Sequence, residues 1–473
     1  MIINNLQKIL LLLVLYTTFS FSLSIPHGLS AEISNIPINK ANYSIHIQSV
    51  SSTIPVASWR THVKRSPASV IKLLTTYSSL LKLGFDYRWE TKFLYTGSLN
   101  NGVLSGDLYV KASGDPTLES DNIDDIVSQI RAAGISRIKG NIVIDRTLFK
   151  VNSKNNSGFD KNVYSPYNAM PDAIMFNKRK STICITPRSK KARITKDVPD
   201  QSYSVVNKLR MVNGSCRGSR AWPRVSIKTN DSGRSTVFLT GKLSKRCGDR
   251  KVCKVISMPH RAFYYALKNG LTARGVNLGG TLKLKKVPAE AKYLFSHYSD
   301  SLESVISTIA KKSDNLMARQ LMFTMGAVSF KGQSTLYKSR KAIENILNKH
   351  YILEKGTTHI ANGSGLSRTS KLTAKSLANL LDHGYKNYGQ RWMDTLAIAG
   401  IDGTIKKRFR NSVVHGRAWM KTGTIKRVKN IAGYVQGASG EYYVVVVLVN
   451  DKYSYKYGAK LANKVIKWVA NSL

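Results

Sequence analysis

Acidic side chains are scarce in this chain, and their scarcity sets its charge. The sequence has 27 aspartates and glutamates against 73 lysines and arginines, which gives a formal charge of +46. A nucleic-acid-binding protein usually gathers its basic residues into one patch interleaved with aromatics. Here basic clusters recur along the chain, at 188–196, 242–254, 406–410 and 426–429. We therefore expect a solvated basic surface retained on anionic envelope polymers in a salt-dependent way, and no nucleic-acid partner.

Metal-binding patterns are also missing. None of the nine histidines falls in a His-Glu-x-x-His motif, and no glycine-rich phosphate loop occurs. The four cysteines, Cys184, Cys216, Cys247 and Cys253, lack Cys-x-x-Cys spacing and share one middle segment. In an exported chain such clustering favours one or two disulfides, with three pairings open for two bridges. We expect no metal and no cofactor.

After the first residues, no apolar run is long enough to cross a bilayer. Lys8 precedes an apolar stretch at 9–23 that threonines and serines interrupt, and Ser22 and Ser24 suit a cleavage site. This pattern predicts a secretory signal peptide over residues 1–24, export to the periplasm, and no transmembrane span after its removal. An uncleaved anchor is the alternative, although the stretch is short for a bilayer-spanning helix of about 20 residues.

Three short clusters, in a fixed order, point to a specific chemistry. They are Ser69-Val70-Ile71-Lys72, Ser313-Asp314-Asn315 and Lys421-Thr422-Gly423. Each pattern is common alone, since Ser136 with Lys139 also fits Ser-x-x-Lys. The ordered set is typical of an acyl-transfer enzyme whose serine nucleophile is served by a lysine rather than a histidine.

Hydrophobic periodicity places the first two clusters on helices. Ser66 can cap a helix that Pro67 enters at its first turn, and apolar residues recur at 68, 71 and 74. Ser69 then lies in the first turn, with Lys72 on the same face. Around Ser313 the helical spacing breaks and resumes, which predicts a junction between two helices at a cleft.

Other segments predict structural elements. Asn101-Gly102 between alternating stretches indicates a hairpin. The continuous apolar run at 442–449 is typical of a buried central strand. The amphipathic helix predicted at 457–473 is expected to pack on the core, with binding to a membrane surface as the alternative.

The chemistry of the first two clusters needs a neutral amine beside the serine. Lys72 can deprotonate Ser69 only if burial and neighbouring cations lower its pKa, and Lys421 can supply such a cation. Ser313 is placed to relay a proton towards the leaving amine. Asn315 is placed to orient Lys72 or a substrate amide.

The third cluster suits a substrate that ends in a carboxylate. Lys421 offers a positive charge, Thr422 a hydroxyl donor, and Gly423 room for the substrate backbone to approach the strand. We expect the backbone N–H groups of Ser69 and Thr424 to form the oxyanion hole.

Longer blocks around these clusters resemble one family. The blocks span residues 66–435 in order, which is nearly the whole mature chain. They are similar to the class C low-molecular-mass penicillin-binding proteins, the D-alanyl-D-alanine carboxypeptidase/endopeptidase family. The blocks are Ser66–Thr76, Gly106–Leu118, Lys311–Ala318, Asn362–Arg368, Gly400–Thr404, Lys421–Ile425 and Ala432–Val435.

The resemblance implies a serine-type D-Ala-D-Ala carboxypeptidase, D,D-endopeptidase or both, acting on peptidoglycan stem peptides through an acyl-enzyme. It also implies covalent inhibition by β-lactam antibiotics. The implied roles are nucleophile for Ser69, base for Lys72, support for Ser313 and Asn315, carboxylate binding for Lys421 with Thr422, and substrate contact for Arg368. The chain departs from the family pattern at Asn362, where an acid is common, and at Lys426, where a polar residue is frequent, and both departures bear on substrate preference.

The same resemblance implies an α/β (α+β) transpeptidase fold of the penicillin-binding and serine-β-lactamase type. With 473 residues, the chain is too long for one compact core. We expect a discontinuous catalytic domain at 33–90 and 296–473. A strand-rich inserted region is expected at 91–295, with its cysteine-containing part at about 180–255.

Two other functions would also use these features. A non-catalytic cationic protein that binds the envelope or nucleic acid, with an inactive enzyme core, would explain the charge of +46 without catalysis. A serine β-lactamase is the second, because Glu344–Asn348 fits the Glu-x-x-Leu-Asn element of that class. Helical spacing of Ile343, Ile346 and Leu347 instead makes Glu344 an exposed residue of an ordinary helix.

Overall fold

The computed structural model describes residues 25–151, 156–231 and 234–473. The predicted signal peptide, 1–24, lies outside these ranges. Within them, no helix combines the length and hydropathy needed to cross a bilayer.

The described strands are short and numerous. In chain order they are β1 (Tyr43–Ser49), β2 (Pro55–Trp59), β3 (Glu90–Tyr95), β4 (Ser98–Asn100), β5 (Val103–Ser105), β6 (Leu108–Lys111), β7 (Arg137–Ile138), β8 (Ile142–Asp145), β9 (Ser181–Thr186), β10 (Arg193–Lys196), β11 (Tyr203–Val212), β12 (Arg224–Thr229), β13 (Ser235–Ser244), β14 (Arg250–Lys254), β15 (Asn277–Leu278), β16 (Leu282–Leu284), β17 (Lys292–Tyr298), β18 (Ala397–Ile398), β19 (Ala418–Ile425), β20 (Val428–Gln436) and β21 (Tyr442–Val449).

Most of the described α-helices lie towards the two ends of the chain. They are α1 (His27–Ser34), α2 (Lys72–Leu83), α3 (Ile123–Ala132), α4 (Pro259–Ala273), α5 (Leu302–Lys312), α6 (Asn315–Ser329), α7 (Leu336–Lys349), α8 (Ala374–Met393) and α9 (Ala459–Ser472).

A six-stranded sheet in the order β18-β19-β20-β21-β1-β2 organises the two ends of the chain. Helices α1 and α9 pack on one face, and α2 with α5 to α8 pack on the other. Because both faces are covered, β21 is apolar along its whole length, with Val445 and Val447 on one side and Val444 and Val446 on the other. The predicted central strand is confirmed, and α9 packs on the core as expected.

The segment between β3 and β17 contributes four further sheets. A five-stranded sheet, β16-β8-β6-β3-β17, and a four-stranded sheet, β15-β7-β5-β4, share a core with α3 and α4. β4 and β5 are antiparallel neighbours, and the turn between them carries positive φ at Asn101 and Gly102, as the hairpin prediction requires. Since β3 and β17 pair antiparallel, the chain leaves and returns at adjacent strands. The division at 91 and 295 stays a prediction.

Two three-stranded sheets, β10-β9-β14 and β11-β13-β12, share a smaller core. Both sheets contribute apolar side chains to it, such as Ile183 and Val237. One disulfide, Cys216–Cys247, closes a loop across this region. Cys184 and Cys253 are free thiols, so the structure has one bridge of the one or two expected.

Candidate active site

The segment that carries Ser69 is fixed by side chains of the central sheet. Asn430 donates from Nδ2 to the carbonyls of Ser66 and Pro67, at 2.9 Å each. Asn450 accepts from the Ser66 N–H at 2.7 Å and donates to its carbonyl at 3.1 Å. These partners are remote in sequence, and only the fold brings them together.

The predicted helix cap at Ser66 is wrong. Residues Ala68–Ile71 form a 3-10 turn and α2 begins at Lys72, while the buried Ser66 Oγ has no hydrogen-bond partner among the described residues. Ala68 has a φ of +46°, a left-handed conformation that costs energy for a residue with a side chain. The turn, with the strain at Ala68, places Ser69 just before the helix.

Strand β19 passes very close to this turn at Gly423. A Cβ at that position would lie 2.8 Å from the Pro67 oxygen, 2.9 Å from the Ser69 nitrogen and 3.0 Å from the Val70 nitrogen. All three are backbone atoms that cannot move away cheaply. Gly423 therefore lets the strand lie against the backbone N–H of Ser69. The sequence predicted that Gly423 makes room for the substrate backbone, and did not predict this contact within the protein.

Lys72 is fully buried among neutral acceptors. Its Nζ donates to Ser69 Oγ at 3.0 Å, to Asn315 Oδ1 at 2.7 Å and to the carbonyl of Ser364. Burial lowers the pKa of this amine well below its ordinary value, and the charges of Lys421 and Arg319 lower the pKa further. The arrangement therefore favours a neutral amine within hydrogen-bond distance of a serine hydroxyl.

Lys421 is buried too, although charged side chains are usually exposed. Its Nζ donates to Ser313 Oγ at 3.0 Å and to the Thr422 carbonyl at 2.8 Å, and burial lowers its pKa to about 7. On the same strand Thr422 is half-buried and Thr424 is exposed. The Thr422 hydroxyl donates to Thr404 Oγ1 at 2.8 Å. Hydroxyl and backbone groups, rather than the ammonium, thus form the accessible edge of β19.

The second cluster lies at the predicted helix junction. Ser313 ends α5 with a φ of +55°, and Asp314 caps α6 by accepting from the N–H groups of Leu316 and Met317 at 2.9 and 3.0 Å. The cap turns the chain so that Ser313 contacts Lys421 and Asn315 contacts Lys72. The structure therefore brings all three clusters together.

A tight turn at Asn362–Leu366 completes the group and was not singled out for this role. The Ser364 carbonyl accepts from Lys72 and lies 3.5 Å from Ser69 Oγ. Asn362 Oδ1 accepts from the Ser364 N–H at 3.1 Å and from its hydroxyl at 2.9 Å, which holds that carbonyl in place. Gly365, with a φ of +78°, lets the turn lie directly against the Ala68 carbonyl. The Asn-Gly-Ser-Gly composition signals a tight turn, but a backbone acceptor leaves no signal of its own.

Arg319 was also missed. It follows Asn315 by one helical turn on α6, is 2% exposed, and donates from Nη1 to the Ala169 carbonyl at 2.6 Å. Its charge is one of those that lower the pKa of Lys72. The i, i+4 spacing from Asn315 could have placed it on the same helix face.

Arg368 lies apart from these contacts. Its guanidinium stacks over the Phe159 ring at 4.9 Å, and both residues line a cavity of about 840 Å³. Asn362 and Leu366 line the same cavity, so it adjoins the turn that carries Ser364. The structure therefore places Arg368 in a neighbouring cavity rather than beside Ser69.

Two other features bear on the β-lactamase alternative and on metal binding. Glu344 lies on α7 and pairs with Lys341 of the same helix at 3.2 Å, as an ordinary helix residue does. In the ranges that the structure covers, no three His, Cys, Asp or Glu side chains come together at a spacing that could hold a metal ion.

Comparison with known proteins identifies relatives along nearly the whole described chain. The model of the D-Ala-D-Ala carboxypeptidase 3 (S13) family matches residues 27–472. The D-alanyl-D-alanine carboxypeptidase DacB of Haemophilus influenzae is 25% identical over 388 residues, which is 81% of this chain and 80% of that protein. A D-alanyl-D-alanine carboxypeptidase of an Actinomadura species is 25% identical over 404 residues, covering 82% of this chain and 73% of that one.

Solved structures show the same fold. Penicillin binding protein 4 of Haemophilus influenzae superposes with a TM-score of 0.76 at 23% identity, over 93% of this chain and 99% of that one. A peptidoglycan endopeptidase of Bdellovibrio bacteriovorus gives a TM-score of 0.51 at 17% identity, over 90% and 92% of the two chains. The predicted α/β fold of the penicillin-binding type is confirmed.

Proposed function

The chain belongs to the D-Ala-D-Ala carboxypeptidase 3 (S13) family, and we propose that it cleaves D-alanyl-D-alanine bonds of peptidoglycan stem peptides through an acyl-enzyme on Ser69. One observation carries this proposal. The buried Lys72 amine lies 3.0 Å from Ser69 Oγ, and none of its hydrogen-bond acceptors is a carboxylate that would hold it protonated. A neutral amine in that position is a general base for the hydroxyl.

Acylation begins when Lys72 takes the Ser69 proton and Oγ attacks the carbonyl of the penultimate D-alanine. The developing oxyanion accepts hydrogen bonds from the backbone N–H groups of Ser69 and Thr424. Gly423 supports this role because it allows β19 to lie against the Ser69 nitrogen. The strained turn at Ala68 keeps that nitrogen in place before the substrate arrives.

The leaving amine needs a proton, and Ser313 is the donor that the geometry favours. Its hydroxyl accepts from Lys421 at 3.0 Å, so its own proton is free to point towards the cleft. Lys421 can resupply that proton, because its pKa of about 7 lets it give up and regain a proton near neutral pH. Asn315 fixes the Lys72 amine through its Oδ1 at 2.7 Å.

The terminal carboxylate is bound by Thr422, with the charge of Lys421 behind it. The Thr422 hydroxyl lies on the accessible part of β19, whereas the Lys421 ammonium is covered. A carboxylate at this position raises the pKa of Lys421 and completes a charge-assisted hydrogen bond. Arg368 contacts a more distant part of the stem peptide from the adjoining cavity.

Carboxypeptidase and endopeptidase activities share this acyl-enzyme. Relatives with either name occur, the Haemophilus carboxypeptidase and the Bdellovibrio endopeptidase. Mass analysis of products from purified cross-linked muropeptides separates the two, because loss of a terminal D-alanine and cleavage of a dimer give different masses.

Export fits the same function, since peptidoglycan lies outside the cytoplasm. The signal peptide predicted at 1–24 would direct the chain to the periplasm, where the Cys216–Cys247 disulfide is stable. β-Lactams would acylate Ser69 as substrate mimics, and the basic surface would favour anionic envelope polymers.

A fluorescent penicillin tests the proposal directly. The wild type should be labelled covalently, and Ser69→Ala should not. Ser136→Ala is a matched control, because Ser136 and Lys139 fit the same Ser-x-x-Lys pattern and are both exposed, on either side of β7. Equal labelling of wild type and Ser69→Ala would refute the assignment. Absence of labelling in all three would favour a non-catalytic cationic protein.

A further inference from the structure

The outer face of one small sheet is open to solvent and strongly basic. In the sheet β11-β13-β12, alternate residues such as Leu209, Val237 and Leu239 point into the small core. The residues between them point away from that core. The described elements leave this outer face uncovered, with its long side chains exposed.

Five cations stand on this outer face. The strand register places Lys208 and Arg224 on either side of Thr240, and Arg210 beside Lys242, with Lys228 at the far end of β12. All five are exposed, and the three strands contain no aspartate or glutamate. Within the described ranges none of the five forms an ion pair.

The surrounding region concentrates positive charge in the same way. Residues 181–254 contain 18 lysines and arginines and four aspartates. Neutralising partners within this part of the molecule are therefore few. So uncompensated a charge favours binding of an external anion and repels other cations.

The middle of the face is aromatic and hydroxylic. Phe238 lies at its centre, with Val206 and Ser226 as neighbours on the flanking strands. Lys228 stands over the Phe238 ring at 5.9 Å. A flat ring flanked by hydroxyls and cations matches the apolar face, hydroxyls and acidic groups of a charged sugar.

We propose that this face binds an anionic glycan polymer of the cell envelope. Alternate residues on a strand are about 7 Å apart and neighbouring strands about 4.8 Å apart, so the cations form a grid that an extended polyanion can follow. Nucleic acid fits less well. Single strands are usually bound by several stacking aromatics, and this face has one; duplex grooves are entered by a protruding helix or ribbon, and this face is flat.

This inference goes beyond the peptidase activity and does not depend on it. None of the five cations is among the residues that form hydrogen bonds with Ser69, Lys72 or Lys421 in the part of the chain that the structure describes. Binding here would hold the enzyme on the polymer while leaving the active site free. It would also assign retention on the envelope to one surface rather than to positive charge spread over the whole molecule.

Polygalacturonate, a linear carboxylated glycan, is a suitable probe. The test variant is Lys208→Gln, Arg210→Gln, Arg224→Gln, Lys228→Gln and Lys242→Gln together. The matched control removes five exposed charges elsewhere, by Lys283→Gln, Lys285→Gln, Lys286→Gln, Lys355→Gln and Lys467→Gln. Both variants have the same net charge. A difference in their binding therefore measures the contribution of this face rather than that of the total charge.

Binding is measured at low and high salt, with penicillin labelling as a check of folding. The test variant should bind about tenfold more weakly or worse, and the control within about twofold of wild type. Labelling should be unchanged in both. If the variant with five substitutions misfolds, the double variant Arg210→Gln with Lys242→Gln is expected to show part of the same loss of binding.

Four results would overturn the proposal: equal loss in the test and control variants, binding that salt does not weaken, binding of neutral dextran, or tighter binding of a single-stranded oligonucleotide than of polygalacturonate. The last result would identify the face as a nucleic-acid site. Neutral dextran should not bind.

Discussion

Replacing Lys421 by methionine should make the protein more stable and its acylation slower. The amine is fully buried and has no carboxylate partner among the described residues, and its pKa falls from 10.5 to about 7 in the fold. A lysine that binds its proton more weakly when folded opposes folding at neutral pH. At pH 7 this shift corresponds to about 4 kcal/mol.

Part of that gain is lost with the hydrogen bonds of the amine. Lys421 donates to Ser313 Oγ and to the Thr422 carbonyl, and leaving such acceptors unsatisfied costs about 1–3 kcal/mol. A net stabilisation of about 1–3 kcal/mol remains for Lys421→Met at pH 7. The unfolded chain binds more protons than the fold between pH 7 and 10.5, so wild-type stability rises across this window. The variant lacks that rise, so its advantage should vanish between about pH 8 and 10 and be reversed by about pH 10.5, where only the lost hydrogen bonds remain.

Acylation responds in the opposite sense. Among the neighbouring charges, that of Lys421 lowers the pKa of Lys72 the most. Its loss therefore leaves Lys72 more protonated at neutral pH. Labelling by fluorescent penicillin should slow by about one to two decades at pH 7 and recover in part as the pH rises, because higher pH neutralises Lys72 but does not replace the proton supply to Ser313 or the charge behind Thr422. Thermal unfolding from pH 6 to 10, with Lys426→Met as an exposed control, measures the stability. A lower Tm, or acylation that no pH restores, would refute this account.

Three further perturbations test other parts of the site and fold. Gly423→Ala should reduce penicillin labelling by about 100-fold and also lower stability, since its Cβ would meet backbone atoms of the turn before α2 that cannot move away cheaply; unchanged labelling would exclude the close approach. Asn362→Asp adds a negative charge behind the Ser364 carbonyl, so the pKa of Lys72 should rise and the acylation profile should move to higher pH; an unshifted profile would contradict this. Reducing Cys216–Cys247 opens a loop of 31 residues and should lower the stability of that region by about 3–4 kcal/mol, seen by limited proteolysis, while labelling persists.

Features with local signals could be predicted from the sequence. The junction at Ser313, the hairpin at Asn101-Gly102 and the central strand at 442–449 each depend on neighbouring residues, and each is present. The three clusters were expected to meet, and hydrogen bonds join Lys72 to Ser69 and Asn315, and Lys421 to Ser313. The catalytic roles of their members remain predictions for the variants above.

Features set by distant partners could not be predicted. Ser66 looked like a helix cap, but its backbone is held by Asn430 and Asn450, more than 360 residues away. Lysines are usually exposed, and only the packing of helices over the sheet buries Lys421. The Ser364 carbonyl is a backbone group, for which residue identity carries no information.

The strand order of the central sheet also governs when the protein can become active. β1 pairs with β21, and Lys72 is fixed by Asn315, 243 residues later. As the chain emerges from its amino end, the segment with Ser69 has no sheet to lie on until β19 to β21 follow. The small sheets between β3 and β17 can form earlier, because the residues that they pair are closer in sequence. The site forms only when residues that are far apart in sequence come together. We therefore expect the surroundings of Ser69 to assemble late, and a partly completed chain to remain unlabelled by penicillin.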